Sequence, residues 1–181
     1  MIPMRRAAFL DRDGVINRKA AEGQYVTHWG ELDFLPGVAP AIAQLNRAGF
    51  CVIVVSNQRC VAKGLISAAD LDSLHRRMCE ALADAGATID GVYYCPHEEQ
   101  PPCGCRKPAP GMLLRAACEH RIDLTTSWMV GDSEIDVKAG RSAGCRTVRL
   151  LDSNDGTDGT ADAVAPSLPE AVRQILKGER S

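Results

Sequence analysis

Strand patterns alternate with helix patterns along almost the whole chain, and this alternation limits the fold more than any other feature. Residues 50–55 form an uninterrupted apolar run, which is typical of a strand buried on both faces of a parallel sheet. Further strands are predicted at 6–10, 89–94, 127–130, 145–150 and 163–165, with helices at 37–48, 67–86, 111–120, 134–143 and 169–176. This order predicts an α/β fold, a doubly wound parallel sheet with helices on both faces.

Composition and charge exclude several classes of partner. Lys and Arg number 21 against 23 Asp and Glu, and aromatic residues make up 4%, so we expect no nucleic acid as a partner. The longest apolar run is far shorter than the ~20 residues that cross a membrane, so no membrane partner is expected either. Eight cysteines without a secretion signal indicate a reducing, cytoplasmic location. A monomer is the default expectation.

Polar residues follow four of the predicted strands at the points where these strands end. Asp11 and Asp13 come directly after the first strand, Ser56 after the second, and Asp132 after the fourth, while Lys107 lies in the loop after the third. Ligands of parallel sheets bind at this edge. Three carboxylates there make an oxygen site suited to Mg²⁺, and a cation and a hydroxyl around a tetrahedral anion suit phosphoryl transfer.

A second cluster of polar residues lies in the loop before residue 108. Three thiols and an imidazole within eleven residues are typical of a closed, structural Zn²⁺ site, here Cys95, His97, Cys103 and Cys105. A disulfide pair or free thiols are the alternatives. A zinc-braced loop would hold the segment that carries Arg106 and Lys107.

The motifs, taken in order, resemble those of the haloacid dehalogenase superfamily of phosphohydrolases. They are Asp-Arg-Asp-Gly-Val at 11–15, Ser-Asn at 56–57, Lys107, and Gly-Asp-Ser-Glu-Ile-Asp at 131–136. Within that superfamily, Cys-Pro-His at 95–97, Cys-Gly-Cys-Arg-Lys-Pro at 103–108 and Gly-Met-Leu-Leu at 111–114 resemble the heptose bisphosphate and histidinol phosphate phosphatases. The resemblance covers about residues 7–150, and it also predicts the structural zinc.

The resemblance implies a role for each of the polar residues at the strand ends. Asp11 would attack phosphorus and form an aspartyl phosphate, and Asp13 would act as acid and then as base. Magnesium would be held by Asp11, by the backbone carbonyl of Asp13 and by Asp132. Ser56 and Lys107 would bind the transferring phosphoryl oxygens.

The resemblance also implies where the substrate is recognised. Its contacts are expected from Asn57, Gln58, Arg59 and Arg106, and from the loop residues Glu22, Gly23, Gln24 and Tyr25. Asp136, one helical turn after Asp132, is interpreted as a cap or support of the loop rather than as a magnesium ligand. His75 and His120 fall in predicted helices and are interpreted as surface or satisfied side chains.

The segments between the motifs are short, which bears on domain organisation. The 181 residues suit one domain, 1–181. Between Asp13 and Ser56 there is room for a loop and a helix, and between Ser56 and Lys107 for a helix, a strand and the zinc loop. We therefore expect no large cap domain, so that loops would recognise a small sugar-phosphate substrate.

Two enzymatic functions fit these motifs, and two non-enzymatic ones fit them less well. The resemblance favours hydrolysis of the C7 phosphate of D-glycero-D-manno-heptose 1,7-bisphosphate, a step that supplies heptose for lipopolysaccharide, capsule or surface glycans. The alternative is a histidinol phosphate phosphatase, because only five residues separate His97 from Cys103. A receiver-type signalling domain would not need Asp13. A zinc-loop binding module with a dead site would lack one of the three aspartates.

Overall fold

The computed structural model describes residues 4–151 and 160–178, and six parallel strands in these residues form one sheet. The strands are β1 (Ala7–Leu10), β2 (Cys51–Asn57), β3 (Gly91–Cys95), β4 (Trp128–Gly131), β5 (Arg146–Leu150) and β6 (Ala163–Ala165). Their order across the sheet is β3-β2-β1-β4-β5-β6, and every neighbouring pair is parallel. The predicted parallel sheet is therefore confirmed.

Helices cover both faces of this sheet. They are α1 (Val38–Arg47), α2 (Ala68–Asp84), α3 (Gly111–His120), α4 (Glu134–Ala143) and α5 (Leu168–Gly178). Side chains of α1, α2 and α5 share one core cluster, and those of α3 and α4 share the other. The split follows from the two-residue period of a strand, which sends Leu10 of β1 to the first cluster and Phe9 to the second. The sheet is doubly wound, as predicted.

Local sequence signals account for two of these elements. Residues 51–56 of β2 are buried, with Val54 in one core cluster and Ile53 in the other, as expected for a strand without a polar face. The Ser67 hydroxyl caps α2 by accepting a hydrogen bond from the backbone N–H of Asp70 at 3.0 Å. The cap satisfies one of the N–H groups that a helix leaves unpaired at its first turn.

The end of β2 differs from the prediction. Ser56 and Asn57 were expected just after this strand, but they occupy its last two positions, paired with Tyr94 and Cys95 of β3. The strand extends by these two residues because β3 continues alongside them and provides hydrogen-bonding partners. The shift leaves both side chains at the carboxyl end of the sheet.

The connections show how the site is left open. Residues 11–37, between β1 and α1, contain one 3-10 turn, Trp29–Glu31, and isolated bridges at Asp13, Asn17 and Phe34. They form no α-helix or strand, and no cap domain is inserted there, as predicted. A polar loop predicted at 153–160 lies, apart from Thr160, outside the described residues. None of the helices in the described residues combines the length and the apolar character needed to cross a bilayer.

Candidate active site

A cleft of about 360 Å³ opens at the carboxyl ends of β1, β2 and β4. It brings together every residue predicted to act in catalysis, magnesium binding or substrate recognition: Asp11, Asp13, Glu22, Gly23, Gln24, Tyr25, Ser56, Asn57, Gln58, Arg59, Arg106, Lys107 and Asp132. The convergence follows from topology, because parallel strands present their carboxyl ends at one edge.

Asp11 forms a buried ion pair with Lys107. The Lys107 Nζ lies 2.9 Å from Asp11 Oδ1 and 2.7 Å from Asp136 Oδ1, and it donates to the carbonyl of Val55 at 2.8 Å. Burial raises the pKa of Asp11 to about 7, and the attraction of Lys107 opposes that rise. The backbone N–H of Arg12 also donates to Oδ1, and no described residue donates a hydrogen bond to Oδ2.

Asp13 is held as a carboxylate by hydrogen bonds from three side chains. The Arg12 Nη2 lies 2.9 Å from both oxygens, Asn17 Nδ2 donates to Oδ1 at 2.9 Å, and Gln58 Nε2 donates to Oδ2 at 2.9 Å. Burial acts to raise the pKa of Asp13, but the Arg12 charge and these hydrogen bonds together lower it below its ordinary value. The surroundings therefore shift the pKa values of the two carboxyl groups of the Asp-x-Asp motif in opposite directions, upward for Asp11 and downward for Asp13.

Two residues predicted to contact the substrate make most of their hydrogen bonds inside the protein. Gln58 is 2% exposed, and its Nε2 bridges Asp13 and the Ser56 hydroxyl, the latter at 2.7 Å. Asn57 pairs with the backbone of Lys107 through both ends of its amide, each at 3.0 Å. Gln58 therefore orients Asp13 and Ser56, and Asn57 fixes the backbone of Lys107.

Arginines from two loops meet at the mouth of the cleft. Arg59 donates to the hydroxyl of Tyr25 at 3.1 Å and to Glu99 at 3.2 Å. Arg106 binds the same Glu99 oxygen and the carbonyl of His97, both at 3.3 Å. The two guanidinium groups converge on a single carboxylate oxygen, so this rim offers a place for an anionic group.

Three carboxylates lie close enough to bind one metal ion. Oxygens of Asp11, Asp132 and Asp136 lie within 4.8 Å of one another, and Lys19 Nζ lies 2.8 Å from Asp132 Oδ2. Hard oxygen donors beside an open cleft fit Mg²⁺. Gly14 is required beside them, because its φ is +89° and a Cβ there would lie 2.4 Å from Asp132 Oδ2.

Asp136 supports the loop that carries Asp132. Its Oδ2 accepts hydrogen bonds from the backbone and hydroxyl of Ser133 in a capping box at the start of α4, while its Oδ1 faces Lys107. The Asp136 side chain packs so closely on Gly131 that a Cβ there would lie 2.1 Å from the Asp136 Cβ. The expected supporting role agrees with these contacts.

The predicted zinc ligands form a compact group beside the cleft. Cys95 Sγ lies 3.6 Å from Cys103 Sγ and 3.1 Å from Cys105 Sγ, and His97 Nδ1 lies 3.5 Å from Cys95 and 3.3 Å from Cys105. All four donor atoms lie within 4.8 Å of one another. Sulfur atoms around Zn²⁺ at about 2.3 Å lie about 3.7 Å apart, so the donor set fits that ion. The sulfurs are too far apart for a disulfide.

Sequence reasoning missed four side chains of the site: Arg12, Asn17, Lys19 and His75. Arg12 was an improbable core residue because arginine is seldom fully buried. His75 was interpreted as a surface or satisfied side chain, and it is buried with a ring nitrogen 3.1 Å from Arg12. One signal could have placed it: His75 follows Leu71 by four residues and precedes Met78 by three, on the apolar stripe of α2.

Similar proteins agree on the family. The HAD-hydrolase-like family matches residues 104–172. A D-glycero-beta-D-manno-heptose-1,7-bisphosphate 7-phosphatase of Rhodopseudomonas palustris is 45% identical over 149 residues, covering 78% of this chain and 81% of the relative. A D-glycero-alpha-D-manno-heptose-1,7-bisphosphate 7-phosphatase of Mycobacterium tuberculosis is 39% identical over 180 residues, covering 95% of this chain and 93% of the relative.

A solved structure extends this agreement to the fold. The crystal structure of D,D-heptose 1,7-bisphosphate phosphatase from B. bronchiseptica, complexed with magnesium and phosphate, superposes with a TM-score of 0.85 at 34% identity. The superposition covers 96% of this chain and 99% of that one. The chain belongs to the haloacid dehalogenase superfamily of hydrolases, in the family of relatives named heptose 1,7-bisphosphate 7-phosphatases.

Proposed function

We propose that the protein is a phosphatase that removes the C7 phosphate of D-glycero-D-manno-heptose 1,7-bisphosphate. The observation that carries the proposal is the pair Asp11 and Asp13 in one cleft. The first lies beside the buried ammonium of Lys107, and the second is clamped by the buried guanidinium of Arg12. The names of relatives that align with most of the chain support this substrate.

Asp11 attacks the substrate phosphorus in the first step. Its Oδ2 is the attacking atom, because Oδ1 is bound by Lys107 and by the backbone of Arg12. A bond forms between this oxygen and phosphorus, the bond from phosphorus to the C7 oxygen breaks, and Asp13 gives its proton to the leaving alkoxide. Asp13 is a carboxylate in the free protein. It takes up this proton when the negatively charged phosphate binds beside it and raises its pKa, and the second step returns a proton to Asp13.

Water completes the reaction in the second step. Asp13, now a carboxylate, takes a proton from a water molecule that attacks the phosphorus of the aspartyl phosphate. The bond to Asp11 breaks, and inorganic phosphate leaves. The hydrogen bonds from Arg12, Asn17 and Gln58 hold the Asp13 carboxylate in one place through both steps.

Magnesium and zinc belong to the proposal. Asp11, Asp132 and the backbone carbonyl of Asp13 would hold Mg²⁺, which when bound offsets negative charge on the phosphoryl group. Ser56 and Lys107 bind the phosphoryl oxygens beside it. The Cys₃His cluster would hold structural Zn²⁺ and fix the loop that carries Arg106 and Lys107.

The rim of the cleft is the proposed place of substrate recognition. Arg59 and Arg106, which share Glu99, supply positive charge for a second anionic group of a bisphosphate. Residues 22–25 also line the cleft, and the Tyr25 hydroxyl accepts a hydrogen bond from Arg59. Histidinol phosphate has only one phosphate, and the relatives described above are named for the heptose bisphosphate, so the alternative is disfavoured.

Three further properties remain predictions. A small sugar phosphate is the proposed partner, without nucleic acid or membrane. A monomer is expected by default, and the protein, with eight cysteines in its sequence, is expected to lie in the reducing cytoplasm.

Replacement of the proposed nucleophile tests the function. We expect Asp11→Asn to reduce phosphate release to the rate of a blank without enzyme, because an amide does not attack phosphorus, while circular dichroism stays native. Asp33→Asn is the matched control, since Asp33 is exposed and its only ion pair in the described residues is with Arg18. Appreciable turnover by Asp11→Asn would show that the nucleophile lies elsewhere.

A further inference from the structure

The Arg12 side chain connects a helix to the proposed acid and base. The Arg12 side chain is 1% exposed. Among the described residues its guanidinium contacts Asp13 and His75, through different nitrogens. Nη2 donates to both oxygens of Asp13 at 2.9 Å, and Nη1 lies 3.1 Å from the Nε2 of His75 on α2. A planar guanidinium held at both edges cannot rotate, so each contact fixes the direction of the other.

The contact with Arg12 determines the tautomer and the charge of His75. A guanidinium can only donate hydrogen bonds, so Nε2 must accept and the ring proton must be on Nδ1. The imidazole is 4% exposed and is therefore neutral beside a permanent cation. It is an acceptor of fixed position, because α2 is capped at Ser67 and the ring packs 5.4 Å from that of Tyr94.

We propose that His75 is a positioning residue for the reaction, acting through Arg12 to hold Asp13 in line with the leaving oxygen. The proposal rests on the acid and base role given to Asp13 above. Without an acceptor at position 75, Nη1 of Arg12 is buried and unpaired, which costs more than the hydrogen bond itself contributes. The guanidinium would then turn toward other acceptors and would draw the Asp13 carboxylate with it.

The geometry predicts that protonation of the leaving group is the step that the loss of His75 slows. Proton donation by Asp13 matters for a poor leaving group and hardly at all for a good one, because a stable anion leaves without a proton. Misplacement of Asp13 should therefore slow the release of phenolate from phenyl phosphate more than the release of p-nitrophenolate from p-nitrophenyl phosphate. Damage to the fold would slow both reactions by the same factor.

The experiment measures kcat/KM for both aryl phosphates, since this quantity reports the steps up to formation of the aspartyl phosphate. The variants are His75→Leu, which removes the acceptor, and His75→Gln, whose side-chain oxygen can take the place of Nε2. For His75→Leu we expect a fall of about 10- to 100-fold with phenyl phosphate and of less than about threefold with p-nitrophenyl phosphate. His75→Gln should recover most of the loss.

A matched control is available on α3. His120 also pairs with a tyrosine, with Nε2 3.1 Å from the Tyr93 hydroxyl, but it has no contact with Arg12. His120→Leu should change the two kcat/KM values little and by the same factor. Equal losses on both substrates in His75→Leu, or the same behaviour in His75→Gln as in His75→Leu, would overturn the proposal.

A further variant separates this proposal from the proposed function. In an Asp13→Asn background, His75→Leu should have no additional effect, because the group that it positions has been removed. If Asp13→Asn itself fails to discriminate between the two leaving groups, the role of Asp13 is wrong. Failure of heptose bisphosphate as a substrate would remove the proposed substrate and leave this test intact, since aryl phosphates do not depend on it.

Discussion

At the scale of single residues, buried charges hold the site together. Lys107 lies between Asp11 and Asp136, and Arg12 lies against Asp13, with both cations almost fully buried. Removing one member of such a pair leaves an uncompensated charge away from water, which is far more destabilising than the loss of an exposed ion pair.

Asp136→Ala should lower the free energy of unfolding by roughly 3–5 kcal/mol, because Lys107 loses one buried partner and α4 loses its cap. Urea unfolding measures this loss. The control is Glu134→Ala on the same helix, which removes an exposed ion pair with Lys138 and should cost only about 0.3–0.5 kcal/mol. Similar losses in the two variants would contradict a buried, energetically coupled pair.

The stability should depend on pH through His75. Burial and, to a smaller extent, the Arg12 charge lower the pKa of His75 to about 3, with Asp13 acting in the opposite direction. The ring of Tyr94 packs against the imidazole. Between pH 6.5 and 3 the unfolded chain therefore binds a proton that the native protein does not, so stability falls as the pH falls, by up to about 1.4 kcal/mol per unit.

His75→Gln removes this contribution, so its unfolding free energy should fall less steeply with acid than that of the wild type. Urea unfolding at pH 7 and pH 5 gives the comparison. A difference between wild type and variant that stays constant over this interval would show that His75 titrates normally in the folded protein.

At the scale of elements, the connection between β3 and α3 is arranged around the Cys₃His cluster rather than around regular secondary structure. Residues 96–110 contain no helix or strand, yet this segment carries Arg106 to the rim and Lys107 to the centre of the site. The Cys₃His cluster closes the loop at its base, and Asn57 pairs with the Lys107 backbone at its end. Fixing the loop at both ends compensates for its lack of regular structure.

Cys103→Ser should abolish the binding of zinc and lower kcat/KM, and added Mg²⁺ should not restore the activity, because the loop and not the catalytic ion is affected. Zinc content by mass spectrometry and amide exchange over residues 95–108 measure the two effects. Cys118→Ser is the control, since this thiol is exposed and outside the cluster. Full activity in zinc-free protein would contradict a bracing role.

At the scale of the whole molecule, topology explains how much the sequence could predict. The alternation of apolar runs and helical stripes predicted the sheet, because strand and helix periods differ, and the parallel sheet then placed Asp11, Ser56 and Asp132 at one edge. Spacing alone was enough to predict the Cys₃His cluster, because its four residues lie within eleven positions.

Contacts between distant segments could not be predicted in this way. Arg12 and His75 are separated by 63 positions, and nothing in either local pattern indicates that a guanidinium is buried against an imidazole. The pairing of Ser56 with β3 and the ion pair of Lys19 with Asp132 likewise depend on how separate segments pack. Side-chain roles that arise from packing require the folded structure.

Phosphate release in the presence of Mg²⁺ tests the proposed function most directly. The substrates are both anomers of D-glycero-D-manno-heptose 1,7-bisphosphate and histidinol phosphate, with Asp11→Asn as the blank. We predict a kcat/KM for one or both heptose anomers that exceeds the value for histidinol phosphate by roughly 100-fold or more, because the monophosphate brings no second anionic group to the rim arginines. An equal or higher kcat/KM for histidinol phosphate would contradict the proposed substrate.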